Sequence, residues 1–126
     1  MSRIDHTGIG VSSIESCARF YDETLAVLGL KRTSTLEENG RLTAIGYGES
    51  FPIFWIDIYH PSSQRYHTGF RAKSEQEVNE FHARGLAAGG RDNGAPGHRK
   101  GQSTEIYYAA FLFDPDGNNI EAVFRG

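Results

Sequence analysis

The sequence predicts an α+β fold built from two βαβββ modules whose curled, largely antiparallel sheets face one another across a hollow. The main observation is a repeat, in which His6-Thr7-Gly8 returns as His67-Thr68-Gly69, 61 residues later. Both copies open an apolar stretch that runs into a Ser-x-x-Glu pattern, which is typical of the first turn of a helix. We therefore expect one domain over residues 1–126, with its modules at about 1–60 and 66–126.

The first half contains one amphipathic helix among four strand-like runs. Ser12 and Glu15 form the helix start, and Gly29 suits the left-handed residue that follows a helix end. The Asn39-Gly40 pair lies between two strand-like runs and predicts a tight hairpin. Alternating or apolar runs give the expected strands Ile4 to Val11, Lys31 to Glu37, Arg41 to Gly46 and Ile53 to Tyr59.

The second half repeats this order after a joint at residues 61–65. Ser74 and Glu77 form the second helix start. A glycine-containing stretch from Gly94 to Ser103 is expected to be a loop, and Asp114-Pro115-Asp116-Gly117 is expected to be a type I turn. The expected strands of this half are Tyr66 to Ala72, Arg91 to Asn93, Thr104 to Phe113 and Asn119 to Phe124.

Composition and charge exclude several classes of function. The chain has 38% hydrophobic and 23% charged residues, which is ordinary for a globular protein. Its net charge of -3 lacks the clustered Lys and Arg that nucleic-acid binding requires. No segment reaches the roughly 18 apolar residues needed to cross a bilayer, and Cys17 has no partner for a disulfide. We expect a cytoplasmic protein that binds neither nucleic acid nor membrane.

Two histidines and two carboxylates form a candidate metal site. His6 and His67 lie near the starts of equivalent strands, so a pseudo-two-fold axis would bring both imidazoles to one place. Glu121 lies on the last strand and points to the face opposite Ile120, and symmetry makes Asp57 its counterpart in the first half. Such ligands suit a divalent metal ion such as Zn, Ni, Co, Mn or Fe. Either carboxylate, Glu121 or Asp57, is also a candidate for moving a proton.

Three further residues are candidates for lining a substrate pocket. Trp55 shares a strand face with Asp57 by the period-two rule and would form an apolar wall beside the metal. Tyr107 and Tyr108 are consecutive in a strand, so one of them faces the hollow. Arg99 lies in the predicted loop, where either it or Lys100 would offer a positive charge to an anionic ligand. Each has a structural alternative, because a strand aromatic is often a core residue and a loop is often a surface connection.

These residues resemble the vicinal oxygen chelate superfamily, which groups glyoxalase I, bleomycin-resistance proteins, fosfomycin-resistance enzymes and extradiol dioxygenases. The resemblance covers essentially the whole chain, and its most specific part joins a turn to a ligand position. The residues that carry it are His6, Phe20-Tyr21, Leu28-Gly29-Leu30, His67 and Asp114-Pro115-Asp116-Gly117-Asn118-Asn119-Ile120-Glu121. The resemblance implies paired βαβββ modules that form a cupped sheet around a metal site.

The resemblance also implies roles for the candidate residues. It implies metal ligands at His6, His67 and Glu121, with a fourth near Asp57, where glyoxalase I has Glu. It further implies a homodimer and a small substrate that chelates a divalent metal ion through vicinal oxygens. The function that it favours is a glyoxalase-like lyase or isomerase. Two alternatives stay open, namely a metal-free module that binds a small molecule, as bleomycin-resistance proteins do, and an Fe(II) extradiol dioxygenase.

Overall fold

The structure, a computed structural model, describes residues 3–100 and 106–126, which form eight strands and two helices. The first module comprises β1 (Thr7–Gly10), α1 (Ile14–Val27), β2 (Lys31–Glu38), β3 (Arg41–Gly48) and β4 (Phe54–Asp57). The second comprises β5 (His67–Arg71), α2 (Glu75–Ala87), β6 (Arg91–His98), β7 (Tyr108–Phe113) and β8 (Asn119–Phe124). The predicted α+β fold of two similar modules is confirmed. Neither helix in these residues has the length and apolar character of a membrane span.

Each module forms a four-stranded sheet, and both sheets have the same strand order. The order is β1-β4-β3-β2 in the first module and β5-β8-β7-β6 in the second. The pairs β1/β4 and β5/β8 are parallel, whereas the other neighbours are antiparallel. A parallel pair cannot be joined by a tight hairpin, so the chain passes through a helix and two strands before the last strand returns beside the first.

Two turns that the sequence predicts are confirmed. Asn39 and Gly40 join β2 to β3 with φ angles of 52° and 77°, which are the positive values that a two-residue hairpin turn requires. In the second module the Gly117 N–H donates to the Asp114 carbonyl at 2.9 Å and closes the turn between β7 and β8.

The helix starts differ in one respect from the sequence pattern. Ser74 caps α2 as predicted. In α1 the cap is Ser13, whose hydroxyl accepts the Ser16 N–H at 3.4 Å, so the predicted cap at Ser12 is wrong. Ser12 instead donates its backbone N–H and its hydroxyl to Asp116 of the second module. Ser12 therefore makes a hydrogen-bonded contact between the modules instead of capping the helix next to it.

The strand β6 is longer than the sequence predicts. The loop predicted from Gly94 is wrong as far as His98, because these residues continue the strand. Residues 101–105, where that loop is predicted to end and the next strand to begin, lie outside the described residues. As an edge strand, β6 is hydrogen-bonded to the sheet on one side only, and its pairing with β7 slips around Gly94. Such an edge tolerates bulges and a proline, here Pro96.

The two modules share one apolar core, as expected from halves that are each too small to be stable alone. Phe54 on β4 and Phe70 on β5 meet edge to face with ring centroids 5.1 Å apart, and Tyr21 on α1 lies 5.4 Å from Phe54. The helices also approach closely at Gly85, where an added Cβ would lie 3.2 Å from the ring of Phe20. The core therefore holds both sheets in one fixed relation.

A buried turn in the second module fastens it to the first. Asp114 is fully buried, and its carboxylate accepts hydrogen bonds from the Tyr21 hydroxyl at 2.6 Å and the Asn118 amide at 2.9 Å. The Asn118 side chain also donates to the Gly10 carbonyl at 3.1 Å and accepts the N–H of Ser63 at 2.9 Å. The turn is thereby bonded to α1, to β1 and to the joint between the modules.

Replacing Tyr21 by Phe is expected to lower the free energy of unfolding by about 1–3 kcal/mol, because a buried carboxylate loses a donor that water cannot replace. Burial, together with the Asp114 charge, raises the pKa of Tyr21, so the hydroxyl remains a donor at ordinary pH. Urea denaturation followed by circular dichroism measures the change. The control is Tyr47→Phe, because the Tyr47 hydroxyl donates to the partly exposed Asp22 within one module. Equal losses in the two variants would contradict the prediction.

Candidate metal and substrate site

Strand alternation places the candidate residues on the sheet faces that point away from the core. In both strands that end a module, core residues alternate with candidates: Phe54, Trp55, Ile56 and Asp57 in β4, and Ile120, Glu121 and Ala122 in β8. Trp55 and Asp57 thus share a face and line the same cleft.

In the second module three candidate residues are in direct contact. The Nε2 atom of His67 lies 2.8 Å from Oε1 of Glu121, and the Tyr107 hydroxyl donates to Oε2 of Glu121 at 2.6 Å. Glu121 is opposite Gly69 in the parallel β5/β8 pair, and a Cβ on Gly69 would lie 3.2 Å from Oε1. The missing side chain therefore leaves space for the carboxylate. We call His67, Tyr107 and Glu121 the second half-site.

Glu121 in this half-site is almost fully buried, with 4% of its surface exposed, whereas half of the His67 side chain reaches solvent. Burial, followed by the hydrogen bond to Glu121, raises the pKa of Tyr107, so its hydroxyl stays protonated and holds the carboxylate. The imidazole of His67 stacks on Phe111 with ring centroids 6.0 Å apart. The half-site therefore has a fixed carboxylate at its base and an accessible imidazole at its rim.

In the first module the candidates surround a separate cleft of about 480 Å³. Its wall includes the apolar side chains of Leu36 and Trp55, and its rim includes His6 and Asp57. The His6 ring is mostly exposed, and its Nδ1 atom lies 2.7 Å from the Asp5 carboxylate. We call His6 and Asp57, with the Trp55 wall, the first half-site.

The carboxylate of Asp57 is largely occupied by local hydrogen bonds. Its Oδ1 accepts the backbone N–H groups of Tyr59 and His60, both at 2.9 Å, and its Oδ2 lies 2.8 Å from Nδ1 of His60. These contacts bend the chain after β4 and hold the His60 ring over the cleft. Asp57 thus shapes the turn that follows β4.

The candidate Arg99 lies on the same face as the second half-site. Its guanidinium carbon lies 5.7 Å from the centre of the Phe111 ring, and its backbone N–H donates to the Tyr107 carbonyl at 2.7 Å. A second arginine, Arg125, lies over the Tyr107 ring at 4.7 Å. Two cations therefore flank the tyrosine that holds Glu121.

The donor set of the second half-site fits a divalent metal ion, because an imidazole nitrogen and a carboxylate oxygen already lie side by side. The expected four ligands, however, are divided between the half-sites, with His6 and Asp57 in one and His67 and Glu121 in the other. Within residues 3–100 and 106–126, no three His, Cys, Asp or Glu side chains are grouped closely enough to hold an ion. Each half-site thus offers one imidazole and one carboxylate.

Two residues that contact these half-sites, His60 and Arg125, are not predicted from the sequence. The sequence feature that could have indicated His60 is its position three residues after Asp57, across the turn that follows β4. Arg125 directly follows the last strand, where the alternation of β8 no longer fixes a face. Both depend on local backbone geometry rather than on a residue pattern.

The comparisons with known proteins agree on one family. The family model described as Glyoxalase/Bleomycin resistance protein/Dioxygenase superfamily matches residues 3–122. A glyoxalase/bleomycin resistance protein from Albidiferax ferrireducens T118 is 31% identical, with a TM-score of 0.83 over 98% of this chain and 100% of that one. Lactoylglutathione lyase from Agrobacterium tumefaciens is 17% identical, with a TM-score of 0.67 over 98% and 94% of the two chains, and therefore shows likeness of fold alone. No curated protein matches the chain significantly.

Replacing Glu121 by Gln is expected to lower the pKa of Tyr107, because a neutral amide no longer opposes the phenolate charge. Because the pKa is raised in the folded protein, the stability that the hydroxyl provides is present at neutral pH and is lost as pH rises through the folded pKa. Carbon-13 NMR of the labelled tyrosine ring measures the titration. Glu75→Gln, which removes a carboxylate on α2, is the control. An unchanged Tyr107 titration in the Glu121 variant would disprove the assignment.

Proposed function

The chain belongs to the Glyoxalase/Bleomycin resistance protein/Dioxygenase superfamily, and on this basis we propose that it is a divalent-metal-dependent enzyme acting on a small substrate through two neighbouring oxygens. A glyoxalase-like lyase or isomerase reaction is the specific proposal. The observation that carries it is the contact of His67 with the buried Glu121, which Tyr107 holds in place. A buried carboxylate beside an accessible imidazole suits a metal better than it suits a purely apolar binding pocket.

We further propose that the protein is a homodimer, in which the first half-site of one copy meets the second half-site of the other. Each half-site supplies one imidazole and one carboxylate, whereas a catalytic metal of this kind needs three or more protein ligands. The exposed His6 ring and the open cleft beside Trp55 support a site that is completed from outside the chain. The side chains of Leu36 and Tyr59 are also exposed at this cleft, and such exposed apolar surface is typical of an interaction site.

The proposed ligands of the metal are His6, Asp57, His67 and Glu121. When bound there, a divalent ion supplies Lewis-acid stabilisation of negative charge on a chelating oxygen. The chain's own residues have separate tasks. Tyr107 fixes the Glu121 carboxylate by its hydrogen bond, and Trp55 provides an apolar wall that limits water. Glu121 or Asp57 takes the proton from the hydroxyl-bearing carbon next to the substrate carbonyl and delivers it to the carbonyl carbon, while the hydroxyl proton passes to the former carbonyl oxygen.

A second candidate function is metal-free binding of a small molecule. The apolar wall of the first half-site, with Trp55 and Leu36, favours an aromatic ligand. Such a module needs no grouping of imidazole with carboxylate, which makes this the weaker proposal. An Fe(II) dioxygenase would use the same metal ligands as the proposed lyase or isomerase. It would differ in requiring Fe(II) for activity.

We also propose a cytoplasmic location, because the single cysteine, Cys17, is a buried free thiol. Burial raises the pKa of this thiol well above its usual range, so it stays unreactive in a reducing compartment.

Protein purified without a histidine tag and incubated with Mn, Ni, Co, Zn or Fe(II) is expected to retain about one equivalent of one of these ions. Elemental analysis after gel filtration measures the content. His6→Ala and Glu121→Ala should each lower it severalfold, because both half-sites contribute ligands. Glu37→Ala, on the exposed surface of β2, is the control. Retention below about a tenth of an equivalent in the wild-type protein would favour metal-free binding instead.

The metal-loaded protein is expected to exchange the carbon-bound proton of a 1,2-hydroxy ketone with deuterium from solvent, as measured by proton NMR. Glu121→Gln or Asp57→Asn should slow the exchange by about a hundredfold, according to which carboxylate carries the proton. A variant that slows exchange while keeping its metal identifies that carboxylate. Oxygen uptake with catechol by the Fe(II)-loaded protein, without proton exchange, would favour the dioxygenase.

A further inference from the structure

Three arginines cover three aromatic rings on one face of the second sheet. Tyr107 precedes β7, and Phe111 and Phe113 lie within it on the face that carries Glu121, because Phe111 is the direct neighbour of Glu121 across the β7/β8 pair. The guanidinium carbons lie 4.7–5.7 Å from the ring centres in the pairs Arg125–Tyr107, Arg99–Phe111 and Arg91–Phe113. These are cation–π distances. The face of the second half-site is therefore unusually rich in fixed positive charge.

A cation–π contact leaves the hydrogen-bond donors of a guanidinium available. The attraction is electrostatic, between the positive charge and the ring face, and it uses none of the five N–H donors. Arg99 uses one of them on the Ala95 carbonyl at 2.5 Å, which orients the side chain. In the part of the chain that the structure describes, no carboxylate forms an ion pair with Arg99 or Arg125. Among the described residues, both cations are therefore candidates for binding an anionic ligand.

The two arginines lie beside the same residue, Tyr107. Arg125 lies over the Tyr107 ring at 4.7 Å, and the backbone N–H of Arg99 donates to the Tyr107 carbonyl at 2.7 Å. The Tyr107 hydroxyl is 2.6 Å from Glu121, whose other oxygen contacts His67. Arg91 lies at the far end of β7, over the Phe113 ring. The pair Arg99 and Arg125 thus differs from Arg91 in facing the second half-site.

We propose that Arg99 and Arg125 form a subsite for a carboxylate, so that the substrate carries a carboxylate in addition to its two neighbouring oxygens. The inference rests on the proposed function for the position of those oxygens, at His67 and Glu121. A guanidinium held edge-on matches a carboxylate with two parallel hydrogen bonds, which gives orientation as well as affinity. The aromatic contacts restrict both arginines before binding, which reduces the entropy lost when the ligand is held.

The test compares catechol with 3,4-dihydroxybenzoate, since both carry vicinal oxygens and only the second has a carboxylate. Isothermal titration of the full-length protein, loaded with the ion that it retains and kept free of oxygen, gives both affinities. The carboxylate is expected to improve binding about tenfold. In Arg99→Met and in Arg125→Met the ratio of the two affinities, measured within the same variant, should fall most of the way to one. Arg91→Met is the matched control and should keep the gain.

Each outcome bears on one proposal. Equal affinity of the two ligands for the wild-type protein, or an equal loss in the Arg91 variant, overturns the carboxylate subsite while the proposed function stands. If neither ligand binds, the proposed function fails, and the subsite is then judged by benzoate alone. Saturable benzoate shifts of the Arg99 and Arg125 Nε–Hε signals in NMR would support it, and unshifted signals would overturn it. Arg99→Lys, which keeps the charge and loses the fork, guards against misfolding and should retain part of the gain.

Discussion

The buried carboxylate of Asp114 is the constraint on which the arrangement of the two modules depends. A carboxylate at this depth is stable only when it is hydrogen-bonded, and it receives bonds from the Tyr21 hydroxyl and the Asn118 side chain. Asn118 then reaches the Gly10 carbonyl at the end of β1. Since Glu121 follows three residues after Asn118, the same turn that joins the modules also sets the position of the second half-site.

The repeat produces two half-sites that are similar in origin and different in geometry. Each has a histidine near the start of the first strand and a carboxylate on the fourth. Glu121 is long enough to reach His67 across the parallel β5/β8 pair, and Gly69 leaves space for it. In the first module the equivalent glycine, Gly8, is paired with Trp55, so the register makes Trp55 rather than Asp57 the counterpart of Glu121. Asp57 lies two residues further along β4, opposite Gly10, and bonds to the turn that follows it and to His60. Position in the register therefore separates a carboxylate that faces its histidine from one that shapes a loop.

Much of the fold follows from sequence periodicity, and much of the site does not. The order of elements, the Asn39-Gly40 hairpin and the faces of Trp55 and Glu121 depend on spacing along the chain, which the sequence contains directly. Other features depend on contacts between distant segments. The hydrogen bond from Ser12 to Asp116 depends on how the two modules pack together. The contacts of Arg99 and Arg125 with aromatic rings depend on how neighbouring strands pack. The extension of β6 depends on its place at the sheet edge.

We propose that the two half-sites, one from each copy in a homodimer, together hold one metal ion. This can be measured by anomalous X-ray diffraction from metal-loaded crystals, on both sides of the absorption edge of the bound ion. A single strong peak per site is expected, bounded by His67 and Glu121 of one copy and by His6 and Asp57 of another. A peak beside one half-site alone, or diffraction without any anomalous peak near Glu121, would contradict it.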